Sequence, residues 1–241
     1  DVICSSFPDT IWNRSQIETR QKPRVVVTGN PVRTEIRRLA ESAQEITARG
    51  KDGEFVVLVL GGSQGAVSVN SAVIAMLERS QDQLPETIRL VHQAGEKDFH
   101  RVEKAYERLV DAIPRLKVTG QPFFDELSDW YARANLVISR SGATTLAELA
   151  CAGCPTILIP YPGSVNEHQL LNARYFEQHG AAAIVEQSPD SELTAGQLQD
   201  AVLKLLFDEG RRMQMAENMR PLALPAAASR VAEEVVSLIS G

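Results

Sequence analysis

The stretch FVVLVLGGSQGA at residues 55–66 decides how the rest of the chain is read. Phe55 to Leu60 is an unbroken apolar run rich in valine, closed by Gly61 and Gly62. A run of that length and composition reads as a strand buried on both faces, the kind found inside parallel sheets. The amphipathic segment from Val67 to Arg79 follows at once, so the glycines lie where a strand turns into a helix. Glycine lets the backbone come close to a ligand, and the start of a helix offers N–H groups to an anion. A tight turn needing glycine only for packing is the competing account. Gly61, Gly62 and Gly65 within five residues favour the anion site. The spacing fits neither G-x-G-x-x-G nor a P-loop ending in Gly-Lys-Ser/Thr.

Outward from this unit the pattern repeats. Strand-like runs fall at Ile88 to His92, Leu116 to Thr119, Leu136 to Ser139, Thr156 to Pro160 and Ala183 to Val185. Helical periodicity falls between them, at Lys97 to Asp111, Phe124 to Ala134, Thr144 to Ala152 and Glu167 to His179. Strand and helix in alternation predict an α/β fold, a Rossmann-like parallel sheet with helices on both faces. Ligands in such sheets bind beyond the carboxyl ends of the strands. From Thr194 onward the chain reads as helix only, and the last helix, about Ala226 to Ser240, sets Val231, Val235 and Ile239 on one stripe. Either the sheet domain or a further domain is expected to cover that stripe. Residues 1 to 27 begin abruptly in strand-like sequence without an initiator methionine, which suggests that something precedes them.

Composition narrows the function. The net charge of −6 argues against nucleic acid, which requires clustered Lys and Arg. No apolar run approaches the roughly 20 residues that span a bilayer. Cys151 and Cys154 form a C-x-x-C, but Gly153 sits where a helix should end, and neither a second cysteine pair nor a histidine pair completes a metal site. Reduced thiols without a role are the expectation. No Asp-x-Asp occurs to hold a diphosphate through a metal.

Three further loops carry candidate chemistry. RSGATT at 140–145 is again small and again at a helix start. Thr145 and Glu148 have the spacing of a capping box, in which each side chain serves a backbone N–H. Glu148 equally suits the two hydroxyls of a ribose, because a carboxylate has two acceptor oxygens. The sequence alone leaves these even. In GNPVR at 29–33, Pro31 fits the first turn of a helix, which puts Arg33 near the positive end of the dipole. Glu35 offsets that charge, yet an arginine so placed is also what a phosphate or base site uses. In NEHQLLNA at 166–173, Gln169 and Asn172 share one helix face and have amides suited to sugar hydroxyls, although a polar helix start is common.

Together GNPVR at 29–33, GGSQGA at 61–66, FFDEL at 123–127, RSGATTLAELACAG at 140–153 and NEHQLLNA at 166–173 resemble the MurG family. That family adds N-acetylglucosamine to a lipid-linked muramoyl-pentapeptide. The matches keep the family's order along most of the chain. The resemblance implies one half of a GT-B glycosyltransferase, whose two Rossmann-like domains face a cleft, with UDP-GlcNAc held mainly by the C-terminal one. Residues 1–27 would then close an N-terminal domain and form the linker, 28–220 would bind the UDP-sugar, and 221–241 would pack toward the N-terminal domain.

By the same resemblance, Arg33 contacts the nucleotide. Ser63, with Gln64 beside it, meets the diphosphate side, and Phe124 meets uracil through its backbone. Ser141, Gly142, Ala143, Thr144 and Thr145 present N–H and hydroxyl groups to the diphosphate. Glu148 holds the ribose, and Gln169, Asn172 and, more weakly, His168 face the sugar. The implied protein needs no metal or other cofactor. It works at the cytoplasmic face of the bacterial inner membrane as a peripheral protein. The family's Gly-rich loop with a histidine, which supplies the general base, has no counterpart here, nor does the membrane-facing patch. Two rivals stand beside this reading: another two-domain UDP-sugar enzyme, and a donor-binding subunit inactive alone.

Overall fold

Valines and leucines at alternate positions of one strand point to opposite faces, and this organises the molecule. In the strand Phe55–Leu60, Val57 and Val59 enter one buried cluster, while Val56, Leu58 and Leu60 enter another. The computed structural model describes residues 1–8, 23–41, 53–62 and 65–240. Its elements in chain order are β1 (Val2–Ser5), β2 (Arg24–Val27), α1 (Thr34–Glu41), β3 (Phe55–Leu60), α2 (Val67–Arg79), β4 (Ile88–Gln93) and α3 (Phe99–Ala112). Then come β5 (Leu116–Gln121), α4 (Ser128–Arg133), β6 (Leu136–Ser139), α5 (Ala143–Ala152) and β7 (Thr156–Leu158). A 3-10 turn (Val165–Glu167) leads into α6 (His168–Gln178), followed by β8 (Ala182–Ile184), α7 (Ser191–Phe207), α8 (Glu209–Met219) and α9 (Ala227–Ser240).

Strands β3 to β8 form one sheet in the order β5-β4-β3-β6-β7-β8, every pairing parallel. Helices α2, α3 and α7 bury their apolar residues on one face, and α1, α4, α5 and α6 on the other. Fold class and strand order along the chain therefore follow the sequence reading. β1 and β2 pair parallel as a separate two-stranded sheet, and Arg24 on β2 is ion-paired to Glu234 on α9.

The chain builds outward from β3 to β4 and β5, then returns to lay β6 on the other side of β3. The loops after β3 and β6 thus leave the sheet on either side of a topological switch point, where α/β sheets place ligands.

Some boundaries differ for identifiable reasons. The helix expected over Phe124 to Ala134 occupies only Ser128–Arg133. Phe124 and Leu127 are buried, and the Phe124 N–H donates to the Gln93 side chain instead of a helical carbonyl. Pro31 lies outside α1, which begins at Thr34, with the Arg33 carbonyl accepting from Arg37 N–H. β7 stops at Leu158, because the Ile159 and Pro160 carbonyls turn to the Arg140 guanidinium. Of the stripe on α9, Val231 is half-buried, whereas Val235 is 51% exposed and Ile239 80% among the described residues.

Candidate functional site

The Gly-rich loop is held by contacts that only glycine allows. Gly65 has φ +72°, and a Cβ there would lie 2.5 Å from the Ala94 carbonyl oxygen. The loop therefore presses on the turn after β4. It leads into α2 through Ala66, whose side chain caps nothing, so among the described residues no side-chain cap competes with an anion for the first N–H groups of α2. Ser63 and Gln64 lie outside the described residues.

Beneath this turn sits a buried polar network. His92 is fully buried with one ring nitrogen on Tyr106 Oη and the other 3.0 Å from Asn70 Oδ1. The Asn70 amide donates to Ala94 O (2.9 Å) and Asp98 Oδ2 (2.8 Å), which fixes the surface the loop rests on. Burial pushes His92 down to about 3, so the ring is neutral.

The loop after β6 reaches α5 through Gly142, which caps nothing with a side chain. Thr145 is the third helical residue and Glu148 the sixth, so the capping box expected from their spacing does not form. Ala143 and Thr145 are half-buried in the first turn, and exposed Thr144 accepts from Asn30 Nδ2 at 2.8 Å.

Glu148 is buried and does other work. Its Oε2 accepts from Tyr131 Oη at 2.9 Å, and its Oε1 lies 3.4 Å from Arg33 Nε. Arg33 also donates to the Asp125 carbonyl at 2.8 Å, closing the wall of a small pocket that Ile36 and Leu127 line. Burial, then the adjacent carboxylate, pushes the Tyr131 hydroxyl well above the usual phenol range, so it stays a donor. A carboxylate has about four lone-pair positions. Among the described residues two are used here, which by that count leaves two.

Arg140 is buried and donates to four oxygens: Ile159 O (2.9 Å), Pro160 O (3.1 Å), Ser68 Oγ (2.7 Å) and Gln187 Oε1 (2.7 Å). Burial lowers it to about 10, which leaves it cationic near neutral pH. Among the described residues it makes no ion pair, so its charge adds to the positive potential of the loop it precedes.

The α6 residues brace that loop more than they project from it. Ser141 Oγ donates to Gln169 O at 2.7 Å, and Asn172 Nδ2 donates to Ser141 O at 3.0 Å. Gln169 Oε1 accepts from Tyr161 N–H at 3.0 Å, and Asn172 is buried. His168 is exposed and turns its Nδ1 to the Val165 carbonyl at 2.6 Å. Cys151 on α5 and Cys154 just past its end are buried, Gly153 takes the left-handed conformation that ends the helix, and burial pushes the Cys151 thiol up to about 11.

Arg33, Phe124, Ser141 to Thr145 and Glu148 thus converge at the carboxyl ends of β5 and β6, with Gln169 and Asn172 behind them. Sequence reasoning gave no role to Tyr131, Gln93, Asn30 or Arg140. The polar end of the otherwise buried strand IRLVHQ was the available signal for Gln93. Nothing in the sequence marked Tyr131, whose partner is 17 residues away.

Comparison with known proteins gives this arrangement its context. Residues 56–233 match the glycosyltransferase family 28 C-terminal domain. A Desulfotalea psychrophila protein named UDP-N-acetylglucosamine--N-acetylmuramyl-(pentapeptide) pyrophosphoryl-undecaprenol N-acetylglucosamine transferase is 41% identical over 240 residues, all of this chain and 60% of that protein. A Coxiella burnetii protein of the same name is 38% identical over 229 residues, 95% of this chain and 58% of its own length. The crystal structure of Acinetobacter baumannii MurG aligns with a TM-score of 0.69 at 26% identity, covering 98% of this chain and 60% of that one. The chain therefore spans about three fifths of the relatives it matches. With its parallel sheet, its two open helix N-termini at the switch point and this match over most of its length, the chain belongs to the glycosyltransferase family 28 C-terminal domain family.

Proposed function

We propose that this chain binds UDP-GlcNAc as the donor half of an enzyme that transfers N-acetylglucosamine to a lipid-linked muramoyl-pentapeptide in peptidoglycan synthesis. The observation that carries the reading is Glu148: buried, held by Tyr131 and Arg33, with two acceptor positions left for the vicinal hydroxyls of a ribose. The names and 38–41% identity of the relatives support the same donor and acceptor.

In this reading Arg33 faces the nucleotide and Phe124 the uracil. The N–H groups of α2 and α5 face the diphosphate, with Ser63, Gln64, Ser141, Gly142, Ala143, Thr144 and Thr145 around it. Gln169, with His168 at the margin, reads the sugar, and Asn172 supports the loop beneath. Residues 28–220 form the donor domain, residues 1–27 belong to the end of an acceptor domain and its linker, and 221–241 pack toward that domain.

The acceptor's C4 hydroxyl attacks the anomeric carbon, which inverts as the bond to UDP breaks. UDP leaves with added negative charge on its terminal phosphate. Fixed N–H dipoles and the buried Arg140 charge stabilise that charge without needing to reorganise. The proton of the attacking hydroxyl goes to a base supplied by the acceptor domain. No described helix is long and apolar enough to cross a membrane. In this reading the acceptor domain meets the lipid-linked acceptor by peripheral contact at the cytoplasmic face of the inner membrane.

Calorimetric titration with UDP-GlcNAc, UDP, UDP-galactose and GDP tests the reading. Preference for uridine nucleotides, and for UDP-GlcNAc among the sugars, is expected. Equal binding of GDP and UDP would overturn it.

A further inference from the structure

Gln93 ends β4, the strand between β3 and β5, and its side chain is buried. Its Oε1 accepts from the Phe124 N–H at 3.1 Å, in the turn after β5. Its Nε2 lies 3.4 Å from the Gly62 carbonyl, in the loop after β3, and its own carbonyl receives the Gly61 N–H at 3.4 Å. One partner can only donate and the other can only accept, so the orientation of the amide is fixed by chemistry. His92, one residue earlier, faces the opposite side and is pinned by Tyr106 and Asn70, which holds the end of the strand in register.

We propose that Gln93 is a positioning residue that ties the phosphate-side loop at Gly62 to the base-side turn at Phe124 and thereby sets the preference for uracil. The proposal rests on the donor reading given above. With its N–H engaged by Gln93, Phe124 has only its carbonyl oxygen to offer the edge of a base. A carbonyl accepts a hydrogen bond, and uracil presents one from N3–H. Cytosine carries a bare acceptor at N3, so the same carbonyl faces a lone pair. Only an amide can hold both loops: a carboxylate keeps the Phe124 bond but has no donor for Gly62, and a thioether of similar length keeps neither.

The test measures UDP and CDP binding in the intact protein for the wild type, Gln93→Met and Gln93→Glu, with melting temperature alongside. Wild type is expected to prefer UDP. Gln93→Met is expected to weaken UDP about 5- to 30-fold, the worth of one to two neutral hydrogen bonds, and to bring the UDP-to-CDP ratio close to one. Gln93→Glu, which keeps the Phe124 contact, is expected to bind both nucleotides more weakly and retain the ratio. A Gln93→Met protein that melts earlier but keeps the wild-type ratio overturns the proposal and leaves Gln93 as scaffold. If Gln93→Met does not fold, loss of the ratio in Gln93→Glu overturns it instead. A wild type with no uridine preference overturns the donor reading, and the proposal with it.

Discussion

Replacing Glu148 with glutamine separates a ribose-binding carboxylate from one that only holds Tyr131. The change keeps the shape and exchanges one acceptor oxygen for an NH2 group. In the native site Tyr131 Oη occupies one position on Oε2, and Arg33 Nε approaches Oε1. Glutamine has a single carbonyl oxygen, so at most one acceptor position is left for a ligand where the carboxylate leaves two. A hydrogen bond to a charged group contributes about 1.5–3 kcal/mol, so UDP should bind roughly 10- to 100-fold more weakly. The cost to the unliganded fold should be smaller, because the Arg33 side chain is 43% exposed and such pairs are worth at most about 1 kcal/mol. The assay is titration with UDP and 2′-deoxy-UDP, paired with urea unfolding. Wild type should favour the ribonucleotide and Glu148→Gln should not. Tyr131→Phe should do the converse, losing about 1–2 kcal/mol of stability, or some 2–8 °C in melting temperature, while still favouring the ribonucleotide. If Glu148→Gln lowers stability yet binds both nucleotides as the wild type does, the carboxylate is part of the scaffold and the ribose argument fails.

Other outcomes follow from the same geometry. Asn172→Ala should weaken UDP and UDP-GlcNAc alike, because its amide holds the Ser141 carbonyl, whereas Gln169→Ala should weaken UDP-GlcNAc alone; titration with both ligands distinguishes them. Gly65→Ala should lower stability by more than about 1 kcal/mol and impair UDP binding, since its Cβ would meet the Ala94 oxygen at a positive φ; urea unfolding and titration read the two effects. His92 is held near 3 against 6.5 when unfolded, so the unfolded state takes up the proton first. Its contribution is complete above pH 6.5 and is lost as pH falls toward 3, about 2 kcal/mol of it between pH 7.5 and 5. Unfolding curves across that range should lose this slope in His92→Asn.

The sequence carried the architecture because each signal was local. Phe55 to Leu60 and Val67 to Arg79 are read directly from apolar periodicity and glycine placement, and both ranges match the structure residue for residue. Where a long-range partner intervened, local reading failed. Phe124 to Leu127 looked helical, but Gln93 takes the Phe124 N–H from another strand. Thr156 to Pro160 looked like one strand until Arg140 claimed its last carbonyls.

The same division holds at the candidate site. Residue types and order along the chain were enough to single out Arg33, the 140–145 loop and Glu148 as candidates. They left Glu148 evenly placed between helix cap and ribose contact, because both roles use the same carboxylate at the same spacing. The tertiary structure decided against the cap by starting α5 at Ala143 and bringing Tyr131 and Arg33, 17 and 115 residues away, to that carboxylate. Periodicity and turn chemistry act over a few residues and can be read in one dimension. Which groups saturate a buried carboxylate or amide depends on how the sheet orders its strands, and that is fixed only when the chain has packed.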